Sequence, residues 1–430
     1  MESKFTVSIQ TISKKDDQLI FRIAGNDKFG LDKSIVNAIR RTLISSIPSV
    51  AFRIDDNIKR DIIIRSNNTS LHNEYLIHRL GLIPLYINPD NYHKDYLFRL
   101  KVSHTSELPY QFITAENFDI YGLNDELKHK VKNYEDLSDF EKEDLDNKLS
   151  IPNTENYNMD VPLSDKIKKQ IFKPFEFRGN INYPLITELK NTNSTNLVED
   201  IDLYGVPSIS IAKENARWQS VSNAVYIFEH DEKQFESVVK EKTKLKNIPE
   251  DKISDFINHL KIEEGERYFL RDKYNEAYSY LFTIESQHYK DNKDLLLHAC
   301  SIINDDLIIL KENVNNLLVK SPTSISLNNT SDFTFELIIN EQDYTIINLI
   351  QAYISRYNIT DDSFIQFCGS KKTHPLEDVM IMIFSILRDK KTMEYSIKQK
   401  TDMLLNNIKE CIDEIISQFN EIIKSISNTL

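Results

Sequence analysis

Three cysteines in 430 residues is a small number, and Cys300, Cys368 and Cys411 lie far apart. That spacing excludes a disulfide framework and a CxxC zinc site, and it fits a reducing, intracellular compartment. Long apolar runs are also missing. The longest, such as Val379 to Phe384, fall far short of the ~20 residues that span a bilayer, so no membrane segment is expected. Met1 to Gln10 mixes charged with apolar residues and lacks the basic-then-apolar layout of a secretion signal. Basic charge is short as well: the net charge of −13 excludes chain-wide binding to phosphate backbones, so no direct sequence-specific DNA contact is expected. No DxDxD-like cluster is present to hold Mg2+, since Asp200 and Asp202 are too few. The eight glycines, set against abundant Asn, Ile and Lys, read as a base-composition bias without functional weight.

What is present is a repeat. With 40% hydrophobic and 28% charged residues the chain has the make-up of a soluble globular protein of two or three domains. Ser34-Ile35-Val36-Asn37-Ala38-Ile39 and Thr345-Ile346-Ile347-Asn348-Leu349-Ile350 are near-copies, each opening a helical pattern soon after a strand-like run. Val36, Ile39 and Leu43 have the same one-sided spacing as Ile347, Ile350 and Ile354, so the twin helices are expected to pack on each other. Two later helices carry matching seams. One, over 293–318, has Ile303, Leu307, Leu310, Val314 and Leu317. The other, over 393–427, has Ile408, Ile412, Ile415, Phe419, Ile422 and Ile426. The alternative is that each terminal helix only covers its own sheet.

Alternation predicts strands over 5–12, 18–24, 50–54, 221–228, 278–285, 333–339, 364–368 and 379–387. Between 55 and 219 the texture changes to short strands and recurring prolines, which reads as an inserted, mostly β domain. Inside it, Asp136 to Asp146 forms an acidic excursion, expected to be mobile, in which Leu137, Phe140 and Leu145 have the spacing of a short amphipathic helix. A charged helical segment over 231–260 is broken near Pro249. Ser321 to Asp332 has linker composition, and a flexible joint of that length holds its two sides at roughly millimolar effective concentration. The expected parts are thus 1–54 with 220–320, an insert 55–219, a linker 321–332, and a second module 333–430.

Three strings carry a family resemblance. Gly30 to Phe52 (GLDKSIVNAIRRTLISSIPSVAF), Asn68 to Leu85 (NTSLHNEYLIHRLGLIPL) and Ala216 to Val221 (ARWQSV) resemble, in this order, the alpha-like assembly subunit of multisubunit DNA-directed RNA polymerases. This is the third subunit in eukaryotes and D in archaea, and it is similar to bacterial alpha. The second module, with Phe367 to Leu376 (FCGSKKTHPL), looks like its smaller partner, the eleventh subunit or L. The resemblance implies an α+β fold in which two alpha-like dimerisation modules pack as an intramolecular pseudo-dimer. It implies no catalytic residue, no metal and no cofactor in this chain. It further implies a surface that brings together the largest and second-largest polymerase subunits, with small zinc-binding subunits resembling archaeal N and P nearby. No homodimer is expected. A fusion of both modules resembles the polymerase subunits of large DNA viruses, which points to a virion or a host cytoplasmic viral factory, with a nucleus also compatible.

The apolar spacing of the twin helices and of the two seams assigns the pseudo-dimer interface to Val36, Ile39, Leu43, Ile347, Ile350, Ile354, Leu310, Val314, Ile412, Ile415 and Phe419. The resemblance assigns partner docking to Arg40, Arg41, His72, Glu74, His78 and Arg79. Guanidinium forks suit such a surface because they pair with carboxylates and carbonyls. Many family members carry a four-cysteine zinc loop or an iron–sulfur cluster in the insert, but this chain has no cysteine before Cys300, so neither is expected. Gln351 stands where the second module's Arg is expected. Trp218 is read as a core residue and Arg217 as solvated. Two other classes remain open. A metallohydrolase would use His72, Glu74 and His78, although no Cys is near and His93 has no regular ligand spacing to them. A free-standing nucleic-acid-binding regulator would bind DNA with steep salt dependence.

Overall fold

The structure is a computed structural model that describes residues 7–15, 17–26, 31–54, 60–105, 109–191, 198–249, 252–287, 289–360 and 362–429. The start of the strand expected over 5–12, and Gly30 at the head of the first string, lie outside these residues. The chain divides into two compact units. The first holds Met1–Ser46, Val221–Ser286 and Asp291–Leu430, and the second holds Ile47–Ser220 and Gln287–Lys290.

In the first unit β1 (Ser8–Lys14) and β2 (Gln18–Ala24) form a hairpin, followed by α1 (Lys33–Ser45). Asp32 caps α1 by accepting the Ser34 amide, Ile35, Val36, Ile39 and Leu43 give it a buried stripe, and Pro48 prevents it from running on.

The second unit runs through β3 (Pro48–Ala51), β4 (Ile62–Asn67), α2 (Asn73–Gly81), β5 (Tyr96–Ser103), β6 (Tyr110–Thr114), β7 (Asp119–Gly122) and α3 (Asp125–Lys132). It continues with α4 (Asp139–Ser150), α5 (Asp165–Ile171), β8 (Phe175–Phe177), β9 (Asn180–Asn182), β10 (Leu185–Lys190), β11 (Asp200–Gly205) and β12 (Ser208–Ile211). Its largest sheet has the order β4-β11-β5-β7, and the pairs β10-β6, β12-β3 and β8-β9 are two-stranded.

The chain then adds to the first unit β13 (Val221–Phe228), α6 (Glu232–Leu245), α7 (Ile253–Glu264), β14 (Ser279–Ser286), α8 (Asn292–Val319), β15 (Ile325–Ser331) and β16 (Thr334–Asn340). Last come α9 (Tyr344–Tyr353), β17 (Ile365–Lys372), β18 (Val379–Ile386), α10 (Lys390–Glu394) and α11 (Ile397–Thr429). The whole is a mixed, α+β architecture.

One topology occurs twice in the first unit. The order β1-β2-β14-β13 has the same connectivity as β15-β16-β18-β17, with α1 and α9 each following the second strand and α8 and α11 each following the fourth. All these neighbours pair antiparallel. The inner faces alternate as half-buried strands must: Leu19, Phe21 and Ile23 on β2 and Phe335, Leu337 and Ile339 on β16 are all buried.

The structure corrects three expectations. The segment 321–332 is not a free linker, because β15 hydrogen-bonds to β16 from Ile325↔Ile339 onward. Its polar Asn328, Asn329 and Thr330 sit on an edge strand, where side chains stay wet, so composition alone misread it. Pro48–Ala51 pairs with Ser208–Ile211 and so belongs to the second unit rather than to the first module's core. The acidic excursion is a capped helix, α4, with Ser138 and Glu141 forming a capping box. It is anchored by Leu145 and Leu149 against Tyr121 and Tyr157, whereas Phe140 is 79% exposed.

Candidate protein-docking interface

Two helix pairs within the first unit, with Ile354 in the turn that directly continues α9, contain every residue expected at the pseudo-dimer interface. In the first pair α1 lies against α9. Val36, Leu43, Ile347, Ile350 and Ile354 have no accessible surface, and Ile39 keeps 2%. The helices run antiparallel, because Arg41 near the end of α1 reaches Asp343 and Thr345 at the start of α9, while Arg356 just past α9 reaches Asp32 at the start of α1. A cleft of about 890 Å³ runs along this pair, lined by Ser34, Asn37, Arg41, Thr345, Asn348 and Gln351 among others. Gln351 accepts a hydrogen bond from Ser370 at 2.5 Å, so its side chain is tied to β17.

In the second pair α8 and α11 are antiparallel along their length. Lys311 pairs with Asp413, Lys409 with Asn315, and Lys293 with the Ser427 carbonyl. Leu310, Val314, Ile412, Ile415 and Phe419 are buried on this seam, together with Ile303, Leu307, Ile408, Ile422 and Ile426. Spacings of three and four residues on two facing antiparallel helices give the interlocking that holds such pairs. Each long helix also touches the opening strand of the other half, α8 against β15 and α11 against β1. Lys320, in the left-handed conformation at φ 57°, ends α8, and the Ser321 amide closes the turn on Asn316.

The expected docking residues divide. Arg40 donates to Asn37, one turn back on its own helix, and is half-buried. Arg41 turns instead toward α9, donating to Thr345 at 2.8 Å, so part of its hydrogen-bonding capacity is used inside the chain.

The other four lie on α2 in the second unit. His72 caps that helix, its Nδ1 accepting the Glu74 amide at 3.4 Å, and Glu74 sits in the first turn, where a carboxylate favours the helix N-terminus. Arg79 clamps β10 by donating to the carbonyls of Ile186 and Leu185. His72, Glu74, His78 and Arg79 are all exposed. On the same helix Tyr75 is 70% exposed and the following Leu82 is 71% exposed. Tyr75, His78 and Leu82 therefore form a second stripe at helical spacing, opposite the buried Leu76 and Leu80. The glycine of the HRLGL string has a steric reason: a Cβ at Gly81 would stand 3.3 Å from the Phe52 carbonyl oxygen. That oxygen accepts a hydrogen bond from Arg217, which also lies over the Trp218 ring. Arg217 is thus half-buried and bonded rather than solvated, and Trp218 is fully buried with its indole N–H on the Ser208 carbonyl.

Sequence reasoning missed Asp32, Asp343, Asp272 and Arg356. The first two carry a local signal, Asp followed two residues later by Ser or Thr at the head of a helical pattern, which is an N-cap signature. Arg356 and Asp272 carry none, since they meet across 84 positions of sequence. Burial disfavours the guanidinium charge, yet Tyr357, Asp32 and Asp272 outweigh it and raise the Arg356 pKa above its ordinary value. Among the described residues no group of His, Cys, Asp and Glu is arranged to hold a metal ion, and no helix is long and apolar enough to cross a membrane.

The model of the RNA polymerase Rpb3/Rpb11 dimerisation domain family matches residues 27–307, more than half of the chain. The chain belongs to this family. It is 34% identical over 121 residues to DNA-directed RNA polymerases I and III subunit rpac1 of Dictyostelium discoideum, covering 28% of each chain. It is 31% identical over 86 residues to DNA-directed RNA polymerase subunit Rpo3 of Methanosphaera stadtmanae, covering 20% of this chain and 27% of that one. A longer stretch of 229 residues is 22% identical to DNA-directed RNA polymerase II subunit rpb3 of Dictyostelium discoideum, covering 51% and 57%. These matches span from about a quarter to under three fifths of the relatives' own lengths.

Proposed function

We propose that this chain is a non-catalytic assembly subunit of a DNA-directed RNA polymerase, in which both members of a dimerisation pair are carried by one polypeptide as a pseudo-dimer. The observation that carries the reading is the topology written twice in the first unit, in a chain whose family is described by dimerisation. The second unit and the first copy from α1 into α8 lie in the span matched to the family, and the second copy, from β15 onward, follows it in the same chain. The seam of α8 on α11 and the packing of α1 on α9 bury the apolar stripes that a separate partner would otherwise cover.

Its contribution is binding. The composite surface brings the largest and second-largest subunits together, with small zinc-binding subunits resembling archaeal N and P beside them, and chemistry stays with the partners. Arg40 and the exposed stripe of Tyr75, His78 and Leu82 supply the apolar, aromatic and guanidinium groups that anchor protein interfaces. The fused form supports transcription by a large DNA virus, in a virion or cytoplasmic factory. Three buried free thiols fit a reducing compartment, since burial pushes Cys300, Cys368 and Cys411 each up to about 12 and keeps them protonated and unreactive.

The test is an affinity pull-down of tagged chain from its native cells, with mass spectrometry and a promoter-independent transcription assay on the eluate. Recovery of two very large polymerase subunits with RNA synthesis is expected. Tyr75→Glu with Leu82→Glu is expected to abolish that recovery while leaving the circular dichroism spectrum unchanged. Recovery of the chain alone, with hydrolytic activity or tight DNA binding, overturns the reading.

A further inference from the structure

The α1 and α9 helices begin alike. Asp32 accepts the Ser34 amide and Asp343 accepts the Thr345 amide, each at 2.7 Å. The second oxygen of each cap faces an arginine from the other helix or the turn that continues it. Arg41 lies 3.5 Å from Asp343, and Arg356 donates to Asp32 at 2.7 Å. The two grips differ in what surrounds them. The side chains of the Arg41–Asp343 pair are more than a third exposed, whereas the Arg356 side chain is 8% exposed and bonds a second carboxylate, that of Asp272, whose side chain has no accessible surface. Asp272 belongs to the first half, in the turn before β14, where its other oxygen accepts the amides of Tyr274 and Glu276. Among the described residues Arg356 is the cation paired with it.

Aligned on their caps, the helices put Ala352 at the place of Arg41 and Ser45 at the place of Arg356. The arginines are therefore not a repeated pair. If α1 met the α1 of a second copy of this chain, Arg41 would find Asp32 and Ser34, the same chemistry that Asp343 and Thr345 offer. That contact cannot tell the two partners apart. Asp272 can. Opposite a second α1 it would meet Ser45 and stay buried with no counter-charge, and an uncompensated buried carboxylate opposes association strongly. A pair of α9 helices fails differently, because Ala352 leaves Asp343 without its guanidinium.

We propose that the Arg356–Asp272 ion pair is the specificity element of this interface, making the first half accept the second half of the chain and reject the first half of another copy. This rests on the two-module reading above. In it the pair acts as negative selection: Asp272 penalises the wrong partner and Arg356 relieves the penalty.

The test uses the full chain with a protease site inserted between Lys320 and Ile325, cleaved in the folded protein and analysed by native mass spectrometry over a range of concentrations. Only one-to-one pairs of the two fragments are expected. In Asp272→Ala with Arg356→Ala, first-half homodimers are expected to rise by roughly tenfold or more, because the buried charge that opposed them is gone. Arg41→Ala is expected to loosen the pair without producing homodimers, since its ion pair does not distinguish the two partners. Equal distributions in the wild type and the Ala double variant overturn the specificity role while leaving the two-module reading intact. Global unfolding of the wild type on cleavage overturns both.

Discussion

The two halves of the first unit share strand order, helix placement and an aspartate cap, yet they differ where they meet. The first half contributes Arg41 and Asp272, and the second contributes Arg356. The first also carries the second unit between α1 and β13, while the second passes from α9 to β17 by a π-helical turn over Ile354–Asn358 and a few residues more. The contrast teaches that apolar burial is the part of the pairing that the two halves share. It is non-directional and tolerates either partner, so the direction of pairing must come from charges, which are cheap to place and costly to mismatch.

Breaking the shared part should have the largest effect. Val36→Asp and Ile347→Asp each place a carboxylate where no surface is accessible, and each is expected to unfold the first unit, a loss above about 4 kcal/mol, seen as collapse of the cooperative transition in urea. Similar losses from the two substitutions mean the halves contribute alike, and a large disparity breaks the comparison.

Next comes the long seam. Leu307→Ala and Ile415→Ala are expected to cost about 2–5 kcal/mol each, read from the urea midpoint at constant slope. The caps sharpen the contrast. Asp343→Ala should cost about 1 kcal/mol, the usual value of a lost N-cap. Asp32→Ala should cost clearly more, because it also removes a carboxylate from the nearly buried Arg356. Equal costs would show that Arg356 does not need Asp32. The smallest effect belongs to Arg41→Ala, at about 0–1 kcal/mol, since its ion pair is exposed enough to be screened.

Local pattern made much of this legible. The stripes of Val36, Ile39 and Leu43 and of Ile347, Ile350 and Ile354 follow from spacing alone, as do the seams on α8 and α11, because an amphipathic helix records in its sequence which side is covered. The edge strand β15 was not legible, since an edge needs no second apolar face and Ile325-Ser326-Leu327 is too short a stretch of alternation to outweigh the Asn and Ser that follow. Leu149 was overlooked beside Leu145 because it lies beyond the acidic run Asp136–Asp146 that drew the reading, and Phe140 was overvalued because spacing does not say which of two faces is covered. The Asp272–Arg356 pair was invisible for a different reason. A long-range ion pair leaves no periodicity, and each member alone looks like any surface charge.

The passage from α8 into β15 takes only Lys320 to Ser324, so both copies of the topology leave the ribosome as one product. Formation of the paired unit is then first order in a single chain, independent of dilution, where two separate chains would meet at a rate set by the product of their abundances. Halving synthesis halves the yield instead of quartering the encounter rate, and no surplus of one half accumulates with its apolar seam uncovered.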